Sequence, residues 1–186
     1  VLHREVADAS DVVMVHGNGL DRQQYHLFIS RARELYPDKP VMCNEDSECY
    51  SRFDVAVRTG TSWGYYNNVT KQEPPAPWGI TLPEDRFCAW RMARAVGLPV
   101  EEIPAEEEVV VQGFEAELDG FGERWPSVAA LWPERLDFVE WVQDGAVIDT
   151  VYDEPYSLNF RTTFVKTGIP EDTDPDKLVA RVHTGT

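Results

Sequence analysis

The sequence predicts an α/β half followed by an all-β half, and three observations carry that division. The run DVVMVHGNG (residues 11–19) is continuously apolar and closes on a glycine-rich turn, which is how a strand buried on both faces reads. An amphipathic stretch and a second short apolar run follow it, giving strand, helix and strand in one βαβ unit with parallel neighbours. Beyond Gly97 the helical periodicity stops, and short strand candidates separated by turns take over, as in an antiparallel sandwich.

Each element has a local justification. In residues 21–36, Tyr25, Phe28, Ile29, Ala32, Leu35 and Tyr36 recur at helical spacing, with Asp21 placed to cap the start and Pro37 to stop the end. PVMC (residues 40–43) is the second buried strand and leads into Asn44-Glu45-Asp46. SRFDVAVRTG predicts a short helix with Phe53, Ala56 and Val57 inward, and TSWGYY (residues 61–66) a third strand. NNVTKQEPPAPWGI is too rich in Pro and Asn for regular structure and reads as a long loop. In TLPEDRFCAWRMARAVG, Thr81 with Glu84 resembles a capping box, Pro83 suits the first turn and Gly97 the stop. The later strands are VVVQGFE, LDFVEWV, AVIDTV, YSLNFRTTFV and KLVARVH, with Gln143-Asp144-Gly145-Ala146 as a hairpin signal.

Three βα units do not close a barrel, which needs eight and about 250 residues. They form either an open three-stranded layer or the last three-eighths of a (β/α)8 barrel. The opening VLHREVADASD has no initiator Met and no apolar leader, which favours the truncated barrel. The expected organisation is a partial barrel over residues 1–98, carrying strands six to eight, then an acidic, proline-containing linker over 99–108. A small sandwich fills residues 109–186.

Composition narrows the partners. Lys and Arg number 17 against 33 Asp and Glu, a net charge of −16 with no basic cluster, so a nucleic-acid partner is not expected. No stretch approaches the roughly 20 apolar residues of a membrane helix, and an acidic surface repels anionic membranes. Cys43, Cys49 and Cys88 lack CxxC spacing and read as buried free thiols; a Cys43–Cys49 disulfide stays open for an exported protein. No cofactor is implied. A metal set drawn from His16, His26, Glu45 and Asp46 lacks HxH or HExxH spacing, and His26 falls within a helix, so no metal is expected.

In parallel α/β architectures the functional groups gather at strand carboxyl ends. Here those ends carry His16-Gly17-Asn18, Asn44-Glu45-Asp46, and Trp63 with Tyr65 and Tyr66. A carboxylate can attack an anomeric carbon, amides and imidazoles bind hydroxyls, and rings stack on C–H faces, so the cluster suits a carbohydrate. Asp46 reads as structural, because neighbouring strand residues point to opposite sides. Glu48 is a solvated loop charge. Trp78 sits on a long loop that suits a cleft wall. Asn68-Val69-Thr70 is a formal glycosylation sequon, and Trp125, Trp132 and Trp141 read as sandwich packing.

The run KPVMCNED, followed 15 residues after Asp46 by TSWGYY, resembles the last strands of the clan A (β/α)8 glycoside hydrolases, the cellulase-like retaining enzymes. The resemblance implies Glu45 as nucleophile, Trp63 as the sugar-platform ring and His16 as a contact to the nucleophile or substrate; the strand-end and loop readings add Asn18, Asn44, Tyr65 and Trp78 as substrate-binding residues. It also implies an extracellular or periplasmic setting, and the trailing half is similar to the immunoglobulin-like modules such enzymes carry. Retaining hydrolysis needs two carboxyl groups about 5 Å apart. The family's acid/base lies on strand four, and no segment before residue 11 can hold it. The missing N-terminal barrel strands of a parent chain are therefore the expected partner, and the isolated chain is expected to be inactive. Two alternatives stand beside this: a non-catalytic carbohydrate-binding or interaction protein, and an unrelated barrel hydrolase that uses a metal.

Overall fold

A computed structural model describes residues 3–46, 51–64, 80, 82–113, 126–158, 160–162, 165–166 and 173–185. The chain divides into two compact units, Val1–Tyr66 and Asn67–Thr186.

In the first unit, helix α1 (Arg4–Ala9) precedes strand β1 (Val13–His16), helix α2 (Arg22–Leu35), strand β2 (Val41–Glu45) and helix α3 (Arg52–Thr59). The predicted Asp21 cap of α2 is present, and Gln24 completes it as a capping box that the sequence reading did not name. Asp21 Oδ1 accepts from the Gln24 N–H at 2.7 Å, and Gln24 Oε1 accepts from the Asp21 N–H at 3.0 Å. These bonds satisfy two of the donors a helix start leaves open. The stripe Tyr25, Ile29 and Ala32 is buried, and burying Ile29 alone contributes roughly 1.5–3 kcal/mol. The loop after α2 also closes off α1: Lys39 Nζ donates to the Ala7, Asp8 and Ser10 carbonyls at 2.7, 3.0 and 2.8 Å.

Strands β1 and β2 pair in parallel, with Val13 opposite Val41, Met14 opposite Met42 and Val15 opposite Cys43. Val13, Val15, Val41 and Cys43 are buried, whereas Met14 is 64% and Met42 40% exposed. One face of this ladder is therefore covered and the other open. The predicted third strand reduces, within the described residues 61–64, to a single parallel bridge between Met42 and Ser62. In α3, Val55 and Ala56 are buried but Val57 is half exposed.

The second unit opens with helix α4 (Pro83–Ala95), whose N-cap is Leu82 with Pro83 in the first turn; Thr81, the expected cap, lies outside the described residues. Its strands are β3 (Val109–Gln112), β4 (Ser127–Ala130), β5 (Leu136–Gln143), β6 (Ala146–Val151), β7 (Phe160–Thr162), β8 (Val165–Lys166) and β9 (Leu178–Thr184). Helix α4 packs with β4. The buried Glu84 carboxylate accepts from Gln112 Nε2 at 2.9 Å, and the Arg91 guanidinium donates to the Leu131 carbonyl at 3.2 Å. The 99–108 stretch, read from sequence as a linker, carries buried Ile103 and a 3-10 turn at Ala105–Glu107. Its Glu101 carbonyl accepts from the Trp90 indole at 2.7 Å.

The predicted hairpin joins β5 and β6. Asp144 and Gly145 both hold positive φ, 50° and 82°, as a type I′ turn requires. The sheet order is β6-β5-β9, and its inner face buries Val139, Trp141, Val151 and Leu178 against Val128, Ala130, Tyr156 and Leu158.

The barrel-plus-sandwich expectation is overturned. Among the described residues the strands form separate sheets of two or three strands, β1-β2, β3-β4, β6-β5-β9 and β7-β8, and no barrel closes. The reason is in the ladder: after β2 only one bridge continues the parallel pairing, and the chain passes into the second unit after Tyr66. Four α-helices among the described residues and these small sheets make a mixed α/β protein. Among the described residues no helix is long and apolar enough to cross a membrane.

On the outer face of β5, Glu140 Oε2 meets His183 Nε2 at 3.0 Å and Arg181 Nη1 at 2.9 Å. The His183 contact first, then Arg181, holds the Glu140 carboxyl below its ordinary value. A carboxylate depressed on folding contributes stability above its unfolded pKa and loses it as pH falls through the folded one. Urea midpoints at about pH 7 and about pH 3 should therefore fall less in Glu140→Gln than in the native chain. Equal falls in both would remove Glu140 from the acid response.

Candidate functional site

The site builds from the carboxyl ends of β1 and β2. Their parallel register shifts at the last step, so that His16 pairs with Glu45 and Asn44 is an extra residue on β2. A bulge of this kind re-aims the side chains that follow it. Strict alternation would place Asp46 on the same side as exposed Met42 and Asn44; instead it is 0% exposed. Glu45 is half-buried, and its carbonyl accepts the Gly17 N–H at 3.0 Å.

Asn18 Nδ2 donates to Glu45 Oε1 at 2.8 Å. An ionised carboxylate only accepts, so the amide must turn its nitrogen toward Glu45. That leaves Asn18 Oδ1 buried without a hydrogen-bond partner among the described residues. An unsatisfied buried acceptor costs about 1–3 kcal/mol, so this orientation favours the bond to Glu45 over the amide's own satisfaction.

Beside Glu45, Asp46 ties the neighbouring segments together. Its Oδ1 pairs with Arg52 Nη1 at 2.5 Å and its Oδ2 accepts from Trp63 Nε1 at 2.7 Å. The Asp46 N–H donates to the Gly64 carbonyl at 2.7 Å, and Arg52 Nη1 also donates to the Gly17 carbonyl at 2.9 Å. The backbones approach too closely for side chains here. A Cβ on Gly17 would sit 2.5 Å from Asp46 Oδ1, and one on Gly64 would overlap the Asn44 carbonyl.

Beneath the strands, Cys43 is a free, buried thiol whose Sγ donates to the Glu45 carbonyl at 3.4 Å. Burial pushes the Cys43 thiol up, and Cys88 likewise to about 12. A nucleophilic cysteine needs the opposite shift, so neither thiol is primed for attack.

The structure thus brings Glu45 and Asn18 into contact and sets His16, exposed, across the ladder from Glu45. Asn44 is exposed at the bulge. Trp63 is only 8% exposed and packs its ring on Phe53, with centroids 5.6 Å apart. Tyr65, Trp78 and Trp125 lie outside the described residues, as do Cys49 and Asn68. Trp141 is core, and half-buried Trp132 has the Arg135 guanidinium over its ring at 4.9 Å.

Sequence reasoning missed Arg52 entirely. Its one signal was an arginine at the head of a helix otherwise read for its apolar face, six residues after an aspartate. The second unit carries an open cleft of about 550 Å³ beside Trp132, Arg135, Asp137 and Thr184, and His16, Asn18, Asn44 and Trp63 are not among its lining residues. Among the described residues no three His, Cys, Asp or Glu side chains are grouped to hold a metal ion.

The geometry therefore stands without a relative beside it: no family model, no curated protein and no solved structure matches this chain.

Proposed function

We propose that the chain carries the nucleophile half of a retaining glycoside hydrolase site acting on a poly- or oligosaccharide. The observation that supports this best is the 2.8 Å bond from Asn18 Nδ2 to Glu45 Oε1 at two adjoining parallel strand ends. It fixes one carboxylate oxygen and leaves Glu45 Oε2 as the attacking atom. In the proposed reaction that oxygen forms a bond to the anomeric carbon as the bond to the leaving oxygen breaks, and water later releases the glycosyl ester. His16 and Asn44 contact sugar hydroxyls, and Asn18 orients Glu45. Asp46 is committed to Arg52 and Trp63, so it is not the proton donor. The donor comes from polypeptide outside the described residues. An extracellular or periplasmic setting accompanies this reading.

Covalent trapping tests it. An activated 2-deoxy-2-fluoroglycosyl fluoride loses fluoride without a protonated leaving group, so a chain holding only the nucleophile is still labelled. Ordinary aryl glycosides, which depend more on the acid, should show no turnover. Labelling that persists in Glu45→Gln would sink the assignment.

A further inference from the structure

Glu45 is held by more than Asn18. Its carbonyl is bonded by the Gly17 N–H, and the next N–H along, that of Asp46, is bonded to the Gly64 carbonyl. The Gly17 carbonyl is taken by Arg52, which grips Asp46 with the same Nη1 atom. Trp63 closes the far side of the Asp46 carboxylate. Each oxygen of one fully buried carboxylate is thus spent on a different segment of chain. A side chain at Gly17 would meet the Asp46 carboxylate and one at Gly64 the Asn44 backbone, so this close packing needs glycine at both positions. Asn18 directly follows Gly17, and Glu45 directly precedes Asp46, so whatever fixes the second residue of each pair relative to the other sets the Asn18–Glu45 distance.

We infer that Asp46, Arg52 and Trp63 form a brace that positions Glu45 against Asn18, with Arg52 and Asp46 as positioning residues and Trp63 as the third arm. Trp63 then serves the site through its indole N–H. Its consequence for catalysis rests on the nucleophile reading of Glu45, whereas the brace itself does not. Removing Arg52 releases the Gly17 carbonyl and one oxygen of Asp46 together, so the Gly17-Asn18 turn loses its register on the Glu45 strand end. Removing only the Trp63 N–H takes that bond from the other oxygen and leaves the ring packed on Phe53.

The Asn18 side-chain amide reports this without any ligand. In the native chain one Nδ2 proton, bonded to Glu45 Oε1, resonates downfield of its free partner. In Arg52→Met that signal should collapse to the free-amide position, while the Val13 and Val15 amides stay protected from exchange. Arg52→Lys should recover part of it, and Trp63→Phe should show an intermediate loss. An Asn18 signal unchanged in both Arg52→Met and Trp63→Phe overturns the brace. Should Arg52→Met also lose β1 protection, Trp63→Phe decides alone. An intact Asn18 signal with failed glycosyl trapping counts against the catalytic reading and leaves the brace standing.

Discussion

Replacing Asp46 with alanine should cost the first unit about 3–5 kcal/mol, the range for stripping one partner from a buried ion pair. The side chains of Asp46 and Arg52 are 0% and 8% exposed, so the guanidinium left behind has lost its carboxylate without gaining water. The Trp63 indole loses its acceptor at the same stroke, and the Gly17 turn loses the anchored arginine. Asp46→Asn should cost less, because the amide oxygen still accepts one of the two bonds. Amide exchange of Val13 to His16 gives the measurement, since these residues report opening of the β1-β2 ladder. A loss below about 1 kcal/mol would place the pair among ordinary surface contacts.

Truncating Trp141 to alanine should be comparably severe in the second unit, about 3–5 kcal/mol, as for other large aromatic core deletions. Trp141 is 0% exposed, and its indole N–H donates to the Tyr156 carbonyl at 3.2 Å. Tyr156 in turn donates its hydroxyl to the Pro133 carbonyl at 3.1 Å, so the tryptophan supports the segment that closes the core. Trp141→Phe keeps most of the packing and loses one hydrogen bond, about 1 kcal/mol. Trp132→Ala should cost less than Trp141→Ala, because half-buried Trp132 leaves a smaller cavity. Equal losses at the two positions, read from urea unfolding of each variant, would contradict this placement of the core.

That contrast marks what the sequence could carry. Asp21 and the stripe Tyr25, Ile29 and Ala32 determine α2 locally, by capping and period, and the structure has both. The Asp144-Gly145 turn likewise follows from backbone preference alone. Strand β4, Ser-Val-Ala-Ala, gave no signal, because small residues carry no strand pattern and its burial comes from partners far along the chain. The larger error was architectural. The strand signals of β5, β6 and β9 are correct one by one, but which strands share a sheet is settled by non-local pairing that period cannot encode.

The same limit applies at the site. Glu45, Asn18 and His16 were legible as polar residues at strand ends, and the parallel ladder brings them to one edge. The bulge at Asn44 was not legible. By simple alternation Asp46 already stood apart from Glu45, but only the shifted register buries it against Arg52 and Trp63. Trp63, expected as an open ring, is instead enclosed because its indole N–H meets that buried carboxylate.

The most direct test of Glu45 is peptide mapping after exposure to a panel of 2-deoxy-2-fluoroglycosyl fluorides of differing configuration. One glycosyl adduct on the Glu45 carboxylate, absent in Glu45→Gln and reduced in Asn18→Ala, is the predicted result. An unlabelled chain across the panel, or an adduct on any other carboxylate, contradicts it.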